Sequence, residues 1–474
     1  MSVKSLGKES LIYGVGHVAA RGVTFLLLPI YTNLFSLSDY GIISLVYAFL
    51  GFMNVILHYG LDASLLKHYV PADIEERKSI LTNAYASFLL TTIVFLLFLV
   101  FFRSDISGLL FGNPLPSITL MVAGILFFDV LWSMHVLLLR AEGKPVFYTA
   151  ISFINVFLTL GLNILFVIYL KLGISGVLIS NLITSGCIFF ITFPIIIKRI
   201  SITTLSVKQW KRLMKFGLPF LPAGIFSMIL ELSDRYILRY LTNIETVGIY
   251  NAGYKLGMLM MLVVMGFNMA WQPYFLKKEK NVREYVANVT TYVLSALVFL
   301  WILILIWTDA LVKLQFGEFT FFGDQYWAST QIVSIIALAY IFHALFLLQL
   351  PGVYLLERSG LIAWIRGLGA VSNIILNLLF IPEYGIVGAA CATCISFILM
   401  AVFIFMVNRK LFEIKYEWKK ILLITSLAIS IWISVHQFPL DNVGKIGFTI
   451  LYPLIMFSTG ILRFNKLKTL LNYK

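Results

Sequence analysis

Long apolar runs separated by short polar connections organise the chain from end to end. Runs able to cross a bilayer, which takes about 20 helical residues, fall at 10–32, 39–61, 79–102, 117–139, 146–170 and 173–197. A basic connection, Lys198 to Lys215, follows, and a second set occupies 216–240, 246–270, 285–307, 328–350, 360–381 and 384–407, with two more at 420–436 and 446–462. Only helices or closed barrels satisfy every backbone group in lipid, and these runs lack the period-two alternation of barrel strands. The pattern predicts an all-α polytopic membrane protein with fourteen transmembrane helices. The polar start Met1 to Lys8 followed by an apolar run imitates a signal peptide, but the run has no small-residue cleavage site and carries Arg21, so it reads as a retained first span.

Composition agrees: 60% of the 474 residues are hydrophobic and 12% charged, about half the charge of a soluble domain. Fourteen spans consume on the order of 280 residues, which leaves no room for a large soluble catalytic domain. The net charge of +14 could mark a nucleic-acid surface. Its distribution says otherwise, because with both termini inside, 27 of the 36 Lys and Arg lie in inner segments and five in outer loops. Topology therefore explains the charge, and no nucleic-acid partner is expected. Cys187, Cys391 and Cys394 sit in apolar stretches; with no second pair and no His cluster, Cys391-Ala-Thr-Cys394 reads as helix packing rather than a metal or redox site.

An internal repeat is visible. Asp39-Tyr-Gly41-Ile with Tyr47 answers Thr246-Val-Gly248-Ile with Tyr254, at an offset of 207. Leu162-Asn163-Ile-Leu-Phe166 answers Leu376-Asn377-Leu-Leu-Phe380, and Gly173-Ile-Ser-Gly176 answers Gly385-Ile-Val-Gly388, at 214 and 212. A displacement of six spans preserves orientation, so two six-helix bundles related by a pseudo-twofold along the membrane normal are expected, facing each other across a cleft. The corresponding divisions are 1–197, a linker at 198–215, 216–407, and a tail of two further helices at 408–474.

Four basic residues remain inside the spans: Arg21, Arg235, Lys255 and Arg366. A charge at mid-membrane costs about 2.5 to 3.5 kcal/mol on insertion scales unless it meets water, a partner or a substrate. Facing a cleft at different depths, the four would form a positive ladder suited to an anionic head group. The competing reading is structural pairing: Glu231 and Arg235 are four apart on one helix with Asp234 beside them, and Asp129 could neutralise Arg21. Asp129, Glu231 and Asp234 could instead load and release protons, with His17, His58, His135 and His343 as relay candidates. Asn163 and Asn377, at matched positions, read as helix-to-helix hydrogen bonding. Nucleotide-binding and hydrolase signatures are missing, and the longest outer connection, Thr308 to Ala328, suits a gate better than an active site.

The stretch Pro29-Ile-Tyr-Thr-Asn-Leu-Phe-Ser-Leu-Ser-Asp39-Tyr-Gly41-Ile-Ile-Ser, followed by His58-Tyr-Gly60-Leu-Asp-Ala-Ser-Leu-Leu-Lys67-His-Tyr69, resembles the amino-terminal signature of bacterial polysaccharide exporters, the Wzx-type flippases of the MOP superfamily. Gly173-Ile-Ser-Gly176 and Tyr384-Gly385-Ile-Val-Gly388 fit the same family's sixth and twelfth helices. The resemblance implies a V-shaped pair of bundles that alternates between inward-open and outward-open states in the bacterial inner membrane. It also implies export of undecaprenyl-diphosphate-linked O-antigen or capsule repeat units, with proton coupling, no cofactor and no catalysis. Family cavity cations map by type and position onto Arg21, Lys255 and Arg366, and less securely Arg235. Implied partners are lipid-linked oligosaccharide, membrane lipid, a polysaccharide polymerase and a chain-length regulator. A lipid II flippase or multidrug antiporter of the same superfamily, and a membrane glycosyltransferase or polymerase, are the rival readings.

Overall fold

The computed structural model describes residues 25–277, 282–317, 319–356, 358, 360–438 and 441–461. The first helix visible, α1, is Phe25–Leu34; the rest of the first expected span, with His17 and Arg21, lies outside the described residues. There follow α2 (Leu37–His58), α3 (Leu61–Tyr69), α4 (Ile74–Phe101), α5 (Arg103–Phe111), α6 (Pro116–Ala141), α7 (Pro145–Asn163, continued as a π-helix over Ile164–Tyr169) and α8 (Gly173–Ile197). Then come α9 (Val207–Gly217), α10 (Leu221–Leu241), α11 (Ile244–Gly257), α12 (Leu259–Lys277) and α13 (Val282–Val312). A two-stranded antiparallel hairpin, β1 (Gln315–Phe316) and β2 (Phe319–Thr320), precedes α14 (Thr330–Leu348), α15 (Leu350–Leu355), α16 (Gly360–Leu411), α17 (Trp418–Gln437) and α18 (Asn442–Ser458).

Among the described residues ten helices are long and apolar enough to cross a membrane, eleven when the pair α11 and α12, bent by 43°, counts as one span. Two expected spans share α16, which breaks at Gly385 (φ 54°, ψ −127°), α18 at 17 residues is shorter than a full crossing, and of the first expected span only α1 is among the described residues. The all-helical membrane architecture is therefore present, and among the described residues the number fourteen is not reached by length alone. Two compact units divide the chain between Asn251 and Ala252.

The sequence repeat has a geometric counterpart. Gly173 and Gly385 both adopt left-handed backbone, at φ 59° and 54°, a conformation open to glycine at little cost. Gly176 sits against the Phe166 carbonyl, and Gly388 against the Phe380 carbonyl. Asn163 and Asn377 are each buried, and each returns its amide to the carbonyl four residues earlier at 2.8 Å. At the starts of α2 and α11 the match becomes reciprocal: Gly41 rests on the Ile244 backbone, and Gly248 on the Leu37 backbone. Each glycine touches the residue that stands four before its counterpart, which is the exchange a local twofold requires. Small residues are what let two backbones approach this closely.

The basic connection after the sixth expected span is built rather than loose. Asn83 of α4 accepts from the Ser206 amide (2.9 Å) and donates to the Thr204 carbonyl (3.0 Å), fixing the approach to α9. Ser64 of α3 then donates to the Leu213 carbonyl (2.9 Å), and Gly60 and Gly217 meet backbone to backbone. Close by, Glu142 pairs with Lys144 (2.7 Å) and Arg199 (3.0 Å) and accepts from Tyr69. Partial burial pushes the Glu142 carboxyl up, but the Lys144 hydrogen bond and the charge of Arg199 outweigh it and hold the group below the ordinary glutamate range.

Candidate functional site

The four intramembrane cations fare differently. Arg21 lies outside the described residues. Arg235 of α10 is only 5% exposed and pairs through Nη1 with Oδ1 of Asp234 (2.8 Å). The same guanidinium donates to the Glu231 backbone carbonyl and lies 5.9 Å from the Tyr250 ring, over its face. Tyr250 donates its hydroxyl to the other Asp234 oxygen (2.5 Å), and the Arg235 amide donates to Oδ1 (2.9 Å). Asp234, its chain neighbour, thus meets Arg235 because the Tyr250 hydroxyl turns the carboxylate back along the helix. Such an enclosed pair fixes α10 against α11, at the cost of desolvating both ions.

Lys255 and Arg366 both belong to the second unit and are half-buried. Gly253 and Gly257, on either side of Lys255, seat α11 on α14 by contact with the Ser329 and Val333 carbonyls and Ile336. The charge of Arg366 reaches His343 of α14, whose ring packs 4.9 Å from that of Phe397. Beside them Tyr254 and Tyr340 join hydroxyls at 3.0 Å. Asn377 donates to the Asn373 side chain within its own helical segment (3.0 Å) and Asn373 to Thr393 (3.4 Å), whereas the other matched asparagine, Asn163, accepts from the Tyr31 hydroxyl of α1 (2.7 Å) and so bridges two helices.

In the first unit Asp129 of α6 accepts from Ser185 (2.6 Å) and Trp132 (2.9 Å) and, among the described residues, forms no ion pair. His58 stands near, bonded through Nε2 to Ser133 (2.7 Å). One turn along α8 from Ser185, Asn181 donates to the Tyr47 hydroxyl (2.6 Å). His135 is enclosed by Thr192 (2.7 Å) and Tyr85 (3.4 Å). Tyr47, Asn181 and Ser185 were not among the expected site residues. The spacing of Asn181 and Ser185, i and i+4 on an apolar helix, is the signal that places them on one face.

The repeat makes the two units comparable. An offset of 214 carries the start of α6 at Pro116 to the start of α14 at Thr330, and with it Asp129 to His343; an offset of 212 carries Ser185 to Phe397. Both pairs are in contact, one by hydrogen bond and one by ring packing. Equivalent positions therefore hold an acid in one unit and a ring under the field of Arg366 in the other. No group of three or more His, Cys, Asp or Glu able to hold a metal occurs among the described residues.

Comparison with known proteins fits this architecture. The chain is 23% identical over 379 residues to a putative O-antigen transporter of Shigella flexneri, covering 76% of this chain and 88% of that one. It is 21% identical over 422 residues to the probable low-salt glycan biosynthesis flippase of Haloferax volcanii, covering 88% and 86%. Among solved structures it superposes on the lipid II flippase MurJ in an inward closed conformation with a TM-score of 0.78 at 18% identity, over 94% of this chain and 98% of that one. The family model for polysaccharide biosynthesis protein matches residues 6–279, more than half of the length, and the chain belongs to that family.

Proposed function

We propose that this protein is a flippase that moves a lipid-linked oligosaccharide, with its phosphate-bearing head group, from one leaflet to the other. The observation that carries the reading is the presence of half-buried Lys255 and Arg366 within apolar helices of a polysaccharide biosynthesis family member. Cations at such positions are of the charge that complements a phosphate-bearing head group. Its likeness to an O-antigen transporter and a glycan flippase supports the same class of cargo. In this reading Lys255, Arg366 and Arg21 meet the diphosphate while the polyprenyl tail, undecaprenyl in a bacterial inner membrane, stays in lipid. The enclosed Arg235 holds helices together and takes no part in cargo binding. No bond is made or broken, so the protein is a transporter and not an enzyme, and a polymerase and chain-length regulator would act downstream.

Two six-helix halves, 1–197 and 216–407, joined by the linker 198–215 and followed by 408–474, would alternate access with both termini inside. A ligand shifts such an equilibrium only by its differential affinity for the two states. Cargo supply or a coupled ion must therefore bias the cycle. Asp129, bonded to Ser185 and Trp132 rather than to a cation, is the proton carrier assigned here, in preference to Glu231 and to the locked Asp234.

Deletion of the gene followed by chemical analysis of the membrane tests the proposal. Accumulation of a lipid-linked oligosaccharide on the inner leaflet, with loss of surface polysaccharide, is expected. Arg21→Ala, Lys255→Ala and Arg366→Ala should each reproduce the loss at normal membrane expression. Full complementation by all three, or accumulation of lipid II or of a drug instead, refutes the assignment of cargo.

A further inference from the structure

The end of α16 and the start of α17 enclose a cavity of about 400 Å³ lined by Phe405, Asn408, Arg409, Glu413, Tyr416 and Trp418 among others, a volume typical of small-molecule sites. Its walls are firmly placed. Asn408 donates to the Gln349 carbonyl (2.7 Å), and Gln349 in turn donates to the Ala401 carbonyl (3.2 Å), which ties α16 to the end of α14. Phe412 and Ile414 belong to a buried apolar cluster with Trp271, Phe275 and Leu348, and Arg283 caps the Phe412 ring at 4.9 Å. Phe405, Tyr416 and Trp418 pack mutually with centroids 5.8 to 6.0 Å apart, making one aromatic wall.

The polar contents of the cavity are unspent. Arg409 and Glu413 are exposed, and among the described residues neither forms an ion pair with the other or with anything else. The Tyr416 hydroxyl, by contrast, is enclosed behind the aromatic wall with almost no accessible surface, and among the described residues it has no hydrogen-bond partner. Lys410, Lys415 and Lys419, in the same stretch of chain, are exposed, and Tyr416 and Trp418 are the residue types found at the level of lipid head groups.

We infer that this cavity is a phospholipid head-group site for a phosphate joined to a primary ammonium, as in phosphatidylethanolamine. Arg409 donates to the phosphate. Glu413 accepts from the ammonium, which the aromatic wall also attracts through its ring faces. A purely anionic head group would leave Glu413 facing like charge, and a trimethylated one would offer Glu413 no donor. Basic pockets beside membrane helices are a known setting for lipid head groups. The inference rests on the membrane reading above but not on transport, so lipid retention and cargo accumulation fail independently.

Native mass spectrometry of the full-length purified protein, given phosphatidylethanolamine, phosphatidylglycerol or phosphatidylcholine with identical acyl chains, tests it. Phosphatidylethanolamine should be retained over both others. Arg409→Ala should weaken its retention about tenfold, the size of one charge-assisted hydrogen bond. Glu413→Gln should turn the preference from phosphatidylethanolamine to phosphatidylglycerol. Soluble phosphoethanolamine should displace the lipid in wild type and not in Arg409→Ala. Retention independent of the head group, or unmoved by Arg409→Ala and Glu413→Gln, overturns the site. Both residues are exposed and, among the described residues, form no ion pair, so thermal midpoints should match wild type.

Discussion

The reciprocal contact between Gly41 and Gly248 can be broken in a way that reports its symmetry. An added Cβ at Gly41 would overlap the Ile244 carbonyl oxygen and stand 2.6 Å from Ile244 Cγ2, and one at Gly248 would overlap the Leu37 carbonyl oxygen and stand 3.2 Å from the Gly41 amide nitrogen. Cβ atoms essentially never come within 3.0 Å of a non-bonded heavy atom, and the obstacles here are backbone, which cannot rotate aside. Gly41→Ala or Gly248→Ala must therefore push the starts of α2 and α11 apart, at a cost of about 1 to 3 kcal/mol each, the usual range for overpacking. Both methyl groups wedge the same pair of helices. Once one has opened the contact the other meets less resistance, so the double variant should fall short of the sum by on the order of 1 kcal/mol. Thermal unfolding of the purified protein in detergent, for wild type, both single variants and the double, measures this. Gly161→Ala is the control, since nothing lies within 4 Å of its added Cβ, and it should be neutral or slightly stabilising through helix propensity. Full additivity, or one silent single variant, would show that the two glycines do not share one contact.

Three further outcomes follow from the polar interior. Asp234→Ala strands the enclosed Arg235 and should cost about 3 to 5 kcal/mol, while replacing both residues by Leu and Met should recover most of the loss, because the pair repays little beyond its own desolvation; thermal midpoints of the two variants decide it. Glu142 is held below its ordinary value of 4.5, so its stabilisation is complete above that pH and disappears as pH falls through the lowered folded value; Glu142→Gln should flatten the acid limb of a midpoint-versus-pH series, and an unchanged limb rejects the link. If Asp129 carries the coupling proton, Asp129→Asn should leave cargo binding intact while transport into vesicles loses its response to an imposed pH gradient; a preserved response would exclude that role.

Period and length of the apolar runs determined the class of structure before any coordinates, because a backbone in lipid must close its hydrogen bonds within each helix. The repeat was legible for the same reason. Glycines that must adopt left-handed backbone or admit a neighbouring carbonyl cannot drift to other types, and Gly173, Gly385, Gly41 and Gly248 occupy such places. The residue types of the candidate site were legible too, since Lys255, Arg366, Arg235 and Asp129 stand out by cost alone in an apolar chain.

Pairing could not be read that way. Helical spacing offered Glu231 as a mate of Arg235 with Asp234 beside them, but it could not show that a Tyr250 hydroxyl from the next helix turns Asp234 onto the guanidinium. Asp129 meets Ser185 from α8, and Arg409 faces Glu413, Tyr416 and Trp418 across a cavity that exists only once Asn408 and Gln349 fasten two helices. Burial and period act along one helix and so are written in the order of residues. Which charge is neutralised and which is left for a ligand depends on side chains brought together from several helices, and that is decided by packing in three dimensions.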